Sequence, residues 1–565
     1  MSRVVKKKIN FAPVGMLILF GGTALSQVKL QVFERQKTID LANDVRKYEV
    51  TKTTRARRGT IQTADGKPLA QDAKKWRLQI DLGKVPHTPS FAIALSEATG
   101  IPAHEFSDQR RGGRDWSIDL SEYQMAKVAQ IKKDFDATGV TLMELAARNY
   151  PLGSLASGLV GRQYMSGKGG EIVQRFGLES SLDSILGGRD GKQTGLQDKN
   201  GEFLPMRSES PEVVKQDGAK VVTTIDSEIQ AAAALAVRRA VEKNRATSGV
   251  AVVTDPKSGD VLAVASWPVV EPNEQGLSPL DENNPAYTTL LEPGSTFKIL
   301  TLTKAVSDGT ISEGQTTNCT GQLMIGARAR IRCDEHHGNR AHGVVDPTLA
   351  IAKSCNVAAA TWSRSIGVDG FFDYIRDLGL QSRTGLDLQG EIRSRAAKDI
   401  GNPGLQLANL GFGQAMSVTP IALAGAFGAI GNEGKRIPLR LVKSVNGIER
   451  PIREGQQVLS KQSCDYTLEC MERVMSSIGT GSSLRIPGYR IGGKTGTAQK
   501  FSKGQNRGYV SNFVGMIPAR DPQAVILVMI DDPKAGKIYG ADVAGAVFKD
   551  VAKSVIIRLN ISRDQ

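Results

Sequence analysis

Glu292-Pro293-Gly294-Ser295-Thr296-Phe297-Lys298 is the stretch from which the rest of this chain can be read. A Pro-Gly pair ends whatever precedes it, and the apolar-periodic run Phe297, Ile299, Leu300, Leu302 and Ala305 predicts a helix stopping near Asp308-Gly309. Ser295 then sits at a helix N-terminus, and Lys298, three residues on, shares its face. Serine is a weak nucleophile unaided. A neutral lysine amine within reach takes the hydroxyl proton, and the exposed N–H groups of the helix start help stabilise an oxyanion formed beside it. An ordinary N-cap uses the same residue types. A second S-x-x-K, Ser26-Gln27-Val28-Lys29, lies at the end of an apolar segment where no chemistry is expected.

Two further motifs follow Ser295 in order: Ser354-Cys355-Asn356, and Lys494-Thr495-Gly496-Thr497. Each is common alone, as Ser444-Val445-Asn446 and Lys257-Ser258-Gly259 in the same chain demonstrate. The ordered set S-x-x-K, S-x-N and K-T-G within one domain-sized span is what penicillin-recognising serine enzymes require.

The surroundings bound the reading. At 565 residues the length suggests roughly two to four domains. A balance of 73 Lys+Arg against 58 Asp+Glu gives +15, which suits nucleic acid, a membrane surface or an acidic polymer. Aromatic content of only 5% and the lack of a zinc-finger or RNA-binding signature argue against nucleic acid. Arg3, Lys6, Lys7 and Lys8 precede an apolar run over 9–28, so residues 1–8 are expected as a cytoplasmic tail, 9–28 as a single membrane anchor and the remainder as extracytoplasmic. The small-x-small Ala24-Leu25-Ser26 keeps a cleaved signal peptide as the rival.

Residues 29–56 are polar with apolar positions at helical spacing, as in a juxtamembrane stalk, and Asp65-Gly66 predicts a hairpin. No catalytic constellation occurs up to residue 247, so 29–247 is read as stalk and pedestal. A helix is expected from Ser227 to about Lys243. From 248 onward the β-rich runs Gly249 to Val253 and Val261 to Ala265 form a hairpin, and Ala524 to Ile530 a buried strand. Hairpins and helices without regular βαβ repetition predict an α+β domain on an antiparallel sheet over 248–565.

An extracytoplasmic setting permits disulfides, with Cys319–Cys333 and Cys464–Cys470 the local candidates and Cys355 left over. Cys333, His336, His337 and His342 crowd together, but paired, regularly spaced zinc ligands are lacking, so no metal and no cofactor is assigned.

Taken together, the chain resembles the class B penicillin-binding proteins, which are peptidoglycan D,D-transpeptidases. The resemblance rests on the three motifs, on Arg58-Gly59-x-Ile61, Asp65-Gly66-x-x-Leu69-Ala70 and Gly177-Leu178-Glu179 in the pedestal, and on Phe412-Gly413-Gln414 and Phe513-Val514-Gly515 later. It implies a penicillin-binding/β-lactamase-like domain, with Ser295 as acyl-forming nucleophile, Lys298 as its base, Ser354 as proton relay and Asn356 as substrate amide ligand. Lys494, Thr495, Gly496 and Thr497 would form the carboxylate-binding strand, and the backbone N–H groups of Ser295 and Thr497 the oxyanion hole. The implied substrates are stem peptides ending in D-Ala-D-Ala, with β-lactams as covalent inhibitors and carboxypeptidase activity as a side reaction. The implied partners are a membrane glycosyltransferase of the shape, elongation, division and sporulation class and other divisome proteins. The stretches around Pro487-Gly488-Tyr489-Arg490 and Asp531 to Lys537 look more like the division enzyme at the septum than the elongation one. A non-catalytic scaffold or a β-lactam sensor or hydrolase is the competing class. Between Asn356 and Lys494, Glu391 has no context marking it as a hydrolytic base.

Overall fold

The sequence Ala-Val-Ile-Leu-Val-Met-Ile-Asp over Ala524–Asp531 holds no polar residue before its last, and all eight positions are buried. Such a strand must be covered on both faces. The computed structural model describes residues 12–29, 31, 34–37, 39–40, 49–107, 116–165, 172–197, 203–205, 212–273, 283–327, 329–333, 341–386, 388–396, 402–502 and 505–564. These fall into two compact units, one of residues 1–57 with 188–218 and one of 58–187 with 219–565.

In the larger unit the C-terminal half supplies, in chain order, α1 (Ser227–Asn244), β1 (Ser248–Thr254), β2 (Val261–Trp267), α2 (Phe297–Ser307), α3 (Pro347–Ala352), α4 (Asn356–Ile366), β3 (Gly492–Ser502), β4 (Gln505–Ile517), β5 (Ala524–Asp531) and α5 (Ala544–Arg558). The strands pair antiparallel in the order β2-β1-β5-β4-β3, which leaves β3 at an edge. The two-residue period of a strand sorts their side chains. Ala251, Val253, Ile526, Val528 and Ile530 pack with Ala233 and Val237 of α1 and Phe548 and Val551 of α5. Val250, Val252, Val525, Leu527 and Met529 face the opposite core with Ile299 and Leu300 of α2 and Val357 and Ala360 of α4. Full burial of a Val, Leu or Ile contributes about 1.5–3 kcal/mol, so a central strand apolar on both faces anchors the helices to either side. The expected helix and hairpin form as read: the Asp226 carboxylate caps α1 by accepting from Glu228 N and Ile229 N at 3.0 Å each, and β1 pairs with β2.

Ahead of this region, the Asp65-Gly66 turn joins Ile61–Gln62 to Pro68–Ile80 as an antiparallel pair. The long strand Pro68–Ile80 also pairs with Trp116–Leu120 and Val140–Asn149. Helices Pro89–Thr99 and Glu122–Asp134 belong with that sheet, sharing a core of Leu78, Ile80, Phe91, Leu95, Val128 and Val140.

The smaller unit departs from expectation in one strand. The polar segment read as a helical stalk ends in a strand, Glu49–Thr54, paired with Gly191–Gln197, which pairs in turn with Phe203–Pro205. Val50, Thr51, Thr53 and Thr54 are β-branched, and this local preference outweighs the sparse helical spacing around it. The apolar N-terminal run forms a helix over Ala12–Val28, 17 residues long, with Met16, Leu17, Ile18, Leu19 and Phe20 exposed. At 1.5 Å per residue this described part measures about 26 Å, and the expected span begins three residues earlier, outside the described residues. Among the described residues no helix is long and apolar enough to cross a membrane. Residues 1–11, which hold the expected cytoplasmic tail and the first part of the expected span, lie outside the described residues.

Candidate active site

Gly294, with φ +56°, bends the chain ahead of a single 3-10 turn over Gly294–Thr296, and α2 begins at once behind it. A Cβ on Gly294 would lie 3.1 Å from the Ala498 Cβ, so the turn rests directly on β3. Gly294 N donates to Gly413 O at 2.9 Å, and a Cβ on Gly413 would lie 2.2 Å from Gly294 O, which only glycine permits. The Thr296 hydroxyl and the Asn512 amide each donate to Pro293 O at 2.8 Å. Ser295 is therefore held on a braced turn, half-buried, one helical turn before Lys298.

Lys298 is fully buried. Its Nζ donates to Ser354 O at 2.6 Å, to Ser354 Oγ at 3.1 Å and to Asn356 Oδ1 at 2.5 Å. The tight corner between α3 and α4 presents these acceptors: Ser354 holds φ +56°, and Cys355 caps α4, whose first residue is Asn356. The Asn356 Nδ2 donates to Arg332 O at 2.9 Å, which leaves its Oδ1 aimed at the lysine.

From the opposite side comes β3. Lys494 pairs with Val514 and Gly496 with Asn512, so both face the helical core that contains Val514. The Lys494 Nζ donates to Ser354 Oγ at 3.0 Å and to Thr495 O at 2.8 Å. The Ser354 hydroxyl thus lies between two buried lysines. Burial, and then the neighbouring Lys298 charge, hold Lys494 well below the ordinary lysine value. The Thr495 hydroxyl is 2.8 Å from that of Thr480, and Gly540 N donates to Thr497 Oγ1 at 3.2 Å. A Cβ on Gly496 would fall 1.7 Å from Asn512 Oδ1, so the middle of the K-T-G motif cannot carry a side chain. Burial raises the Glu292 carboxyl above its usual range, while a hydrogen bond from the Ala415 backbone lowers it.

All three sequence motifs therefore converge, with Ser354 as the shared partner of both lysines. Sequence reasoning missed Asn512, Thr480 and Arg332, which carry no motif and reach the site through strand register or a loop. Glu391 accepts from Thr384 N at 2.6 Å, in a loop that it braces.

The sequence profile of the penicillin binding protein transpeptidase domain matches residues 249–553, more than half of the chain, and that of the penicillin-binding protein dimerisation domain matches 53–223. The chain belongs to the penicillin-binding protein transpeptidase family. Peptidoglycan D,D-transpeptidase FtsI of Escherichia coli is 28% identical to it over 92% of this chain and 87% of that protein. Penicillin-binding protein PbpB of Mycobacterium tuberculosis is 32% identical over 73% of this chain and 62% of that protein. Penicillin binding protein 3 of the same organism, solved in complex with aztreonam, superposes with a TM-score of 0.67 at 26% identity, covering 91% of this chain and 98% of that one.

The cysteines correct two expectations. All five are free and buried. Cys464 and Cys470 lie on one helix, Lys461–Val474, where six residues separate their Cα atoms by about 9 Å along the axis, beyond the reach of a disulfide. Burial pushes both thiols up to about 12. Cys319 and Cys333 do not pair with each other either; each has its sulfur 3.5 Å from His342 Nδ1, and the Cys333 sulfur is 3.5 Å from that of Cys355. His336 and His337 lie outside the described residues.

Proposed function

We propose that the chain is a serine-type peptidoglycan D,D-transpeptidase that cross-links stem peptides, acting at the division septum and inhibited covalently by β-lactams. The observation that carries this reading is the hydrogen-bonded series Lys298, Ser354, Lys494 beside the turn that holds Ser295. Ser295 Oγ adds to the carbonyl of the penultimate D-Ala while Lys298, in its neutral form and with one of its three donated hydrogen bonds given up, takes its proton. The N–H groups of Ser295 and Thr497 stabilise the tetrahedral oxyanion. The C–N bond then breaks, and the proton returns through Ser354 to the nitrogen of the departing D-Ala, leaving an ester on Ser295. An amine of a second stem peptide attacks the ester, restoring the serine hydroxyl and closing the cross-link; water in its place gives carboxypeptidase activity.

Lys494, Thr495 and Thr497 receive the terminal carboxylate, and Asn356 the substrate amide carbonyl. The depressed Lys494 suits this task, because an incoming anion supplies the countercharge that makes protonation favourable. β3 ends the strand order of the sheet, the position at which an extended peptide can align as a further strand. Residues 29–247 then serve as stalk and pedestal, 248–565 as the transpeptidase domain, and the N-terminal apolar helix as the single anchor in the cytoplasmic membrane, beside a glycosyltransferase of the shape, elongation, division and sporulation class.

The test is covalent labelling of the purified chain with fluorescent penicillin. A long-lived adduct mapping to Ser295 and absent in Ser295→Ala is expected, with no penicillin consumed beyond the first equivalent. Rapid turnover of penicillin by the wild type would defeat the transpeptidase reading, and a fluorescent fusion spread along the sidewall would defeat the septal one.

A further inference from the structure

Behind the Ser354-Cys355-Asn356 corner the fold gathers a second set of reactive side chains. One ligand atom from each of Cys319, Cys333, His342 and Cys355 lies within 4.8 Å of every other. The three cysteines are buried and the histidine is half-buried. Four separate segments deliver them. Cys319 ends a strand whose register sets it against Gly343, bringing the adjacent His342 alongside. Cys333 closes the Gln322–Ile325 and Ala329–Arg332 hairpin, its N–H donating to Gly321 O at 2.9 Å. Cys355 caps α4.

We propose that these four side chains bind one zinc ion in a closed tetrahedral site that positions Asn356 and Ser354. A tetrahedron with Zn–S bonds of about 2.3 Å and a Zn–N bond of about 2.05 Å has S···S edges near 3.8 Å and S···N edges near 3.6 Å. Three of the six edges, the Cys333–Cys355 sulfur separation and the Cys319 and Cys333 sulfur separations from His342 Nδ1, are 3.5 Å, and the other three lie within 4.8 Å, so the four donors need only small shifts to take up such a figure. Three thiolates and one imidazole suit zinc over magnesium or calcium, which take oxygen. Backbone N–H groups supply the outer support that thiolate ligands need: Asn356 N donates to Cys333 Sγ at 3.1 Å and Ala358 N to Cys355 Sγ at 3.4 Å. A Cys333–Cys355 disulfide would use two of the four donors and leave Cys319 and His342 facing each other without a purpose.

The coupling to the reaction is direct. Asn356 is tied to the site twice, through its N–H on Cys333 Sγ and through its Nδ2 on Arg332 O, the carbonyl just before Cys333. Cys355 stands between Ser354 and Asn356 in the chain. A zinc ion there fastens the hairpin to the start of α4 and so fixes the two acceptors of Lys298. The four residues are positioning residues; none of them touches the reacting atoms.

The experiment uses the full chain purified without chelator. Elemental analysis is expected to find about one zinc per chain. Cobalt(II) exchanged into the wild type should show thiolate-to-metal charge-transfer absorption, and Cys319→Ser should lose both the zinc and that absorption. Stripping the wild type with a chelator is expected to slow penicillin acylation about 10-fold or more, and zinc(II) alone to restore it. Metal-free chain that takes up neither zinc nor cobalt, or a mapped Cys333–Cys355 disulfide, overturns the site. Unchanged acylation after complete stripping overturns the positioning role. Zinc content is read without any catalytic assay, so a chain that holds zinc but is never labelled by penicillin would break the transpeptidase reading while supporting this site.

Discussion

Among the described residues of the larger unit, the charges buried around Glu179 and those buried around Ser354 are built on opposite plans. In the part matched by the dimerisation-domain profile, Glu179 is completely buried between two arginines, with Arg58 Nε and Arg148 Nε each 2.6 Å from its carboxylate. Arg58 also reaches Asp183 at 2.6 Å, Arg148 reaches Asp72 at 3.0 Å, and the arginines further donate to Glu179 O and Gly59 O. Every charge there has a countercharge, and each guanidinium nitrogen of the two arginines donates a hydrogen bond. In the active site Lys298 and Lys494 are equally buried, yet they converge on one hydroxyl, and Lys494 has no ion pair among the described residues. The first cluster joins segments distant in sequence, whereas in the second Lys494 has hydrogen bonds but no ion-pair partner among the described residues. Under the proposed function a substrate carboxylate supplies the countercharge that Lys494 lacks, so polar burial would serve assembly in one place and reaction in the other.

Removing a member of each cluster should therefore have different consequences. The largest effect is expected for Lys298→Ala: acylation by penicillin slows ~10²–10⁴-fold through loss of the general base, while unfolding in urea changes little. Stopped-flow labelling beside an unfolding curve measures both, and a variant that acylates normally would show that the proton leaves Ser295 by another route. Glu179→Ala inverts the pattern. It strands two buried guanidinium groups and is expected to cost about 3–5 kcal/mol of stability, with the acylation rate per folded molecule unchanged. A loss below about 1 kcal/mol in the same unfolding experiment would mean that water satisfies the arginines, and the contrast between the clusters would fail.

How legible each region was in the sequence follows from how local its determinants are. The Ser295 turn and α2 were readable because a Pro-Gly break and a helical period lie within one short stretch, and the β1–β2 hairpin and β5 because their apolar runs are bounded by turn residues. Lys494 and Ser354 were readable as motifs, but their meeting on one hydroxyl was not, since it depends on the β3–β4 register and on the positive φ of Ser354. Of the Cys319, Cys333, His342 and Cys355 cluster, Cys333 and His342 stood out in the sequence, but their meeting with Cys319 and Cys355 did not, for the same reason. Its spacings match no zinc motif, and a strand register and a helix cap, neither visible in composition, bring its members together. The ion network was likewise hidden, because Arg58, Arg148 and Glu179 look like ordinary charged residues until the segments carrying them are folded against one another.

The smallest expected effect is also the sharpest test of the comparison, because its sign is unusual. Lys494→Met keeps the volume and removes the buried amine. The variant loses two hydrogen bonds, each contributing about 0.5–1.5 kcal/mol, but it escapes the cost of placing a cation beside Lys298 in a dry interior. The folded-state pKa lies well below 10.5, so between the two values the unfolded chain binds a proton that the folded chain does not, and wild-type stability rises with pH across that window. The slope reaches at most about 1.4 kcal/mol per pH unit, and below the folded pKa the full penalty remains. Methionine does not titrate. The variant should therefore gain on the wild type as pH falls from 10.5 toward neutrality, and near pH 10.5 it should trail the wild type by the lost hydrogen bonds, about 0.5–1.5 kcal/mol each. Urea unfolding of both chains at several pH values reads this directly, and penicillin labelling of the variant should fall in parallel because the carboxylate has lost its cation. A difference in stability that does not move with pH would show that Lys494 is charged in the resting fold and already paired, which would make the two clusters alike.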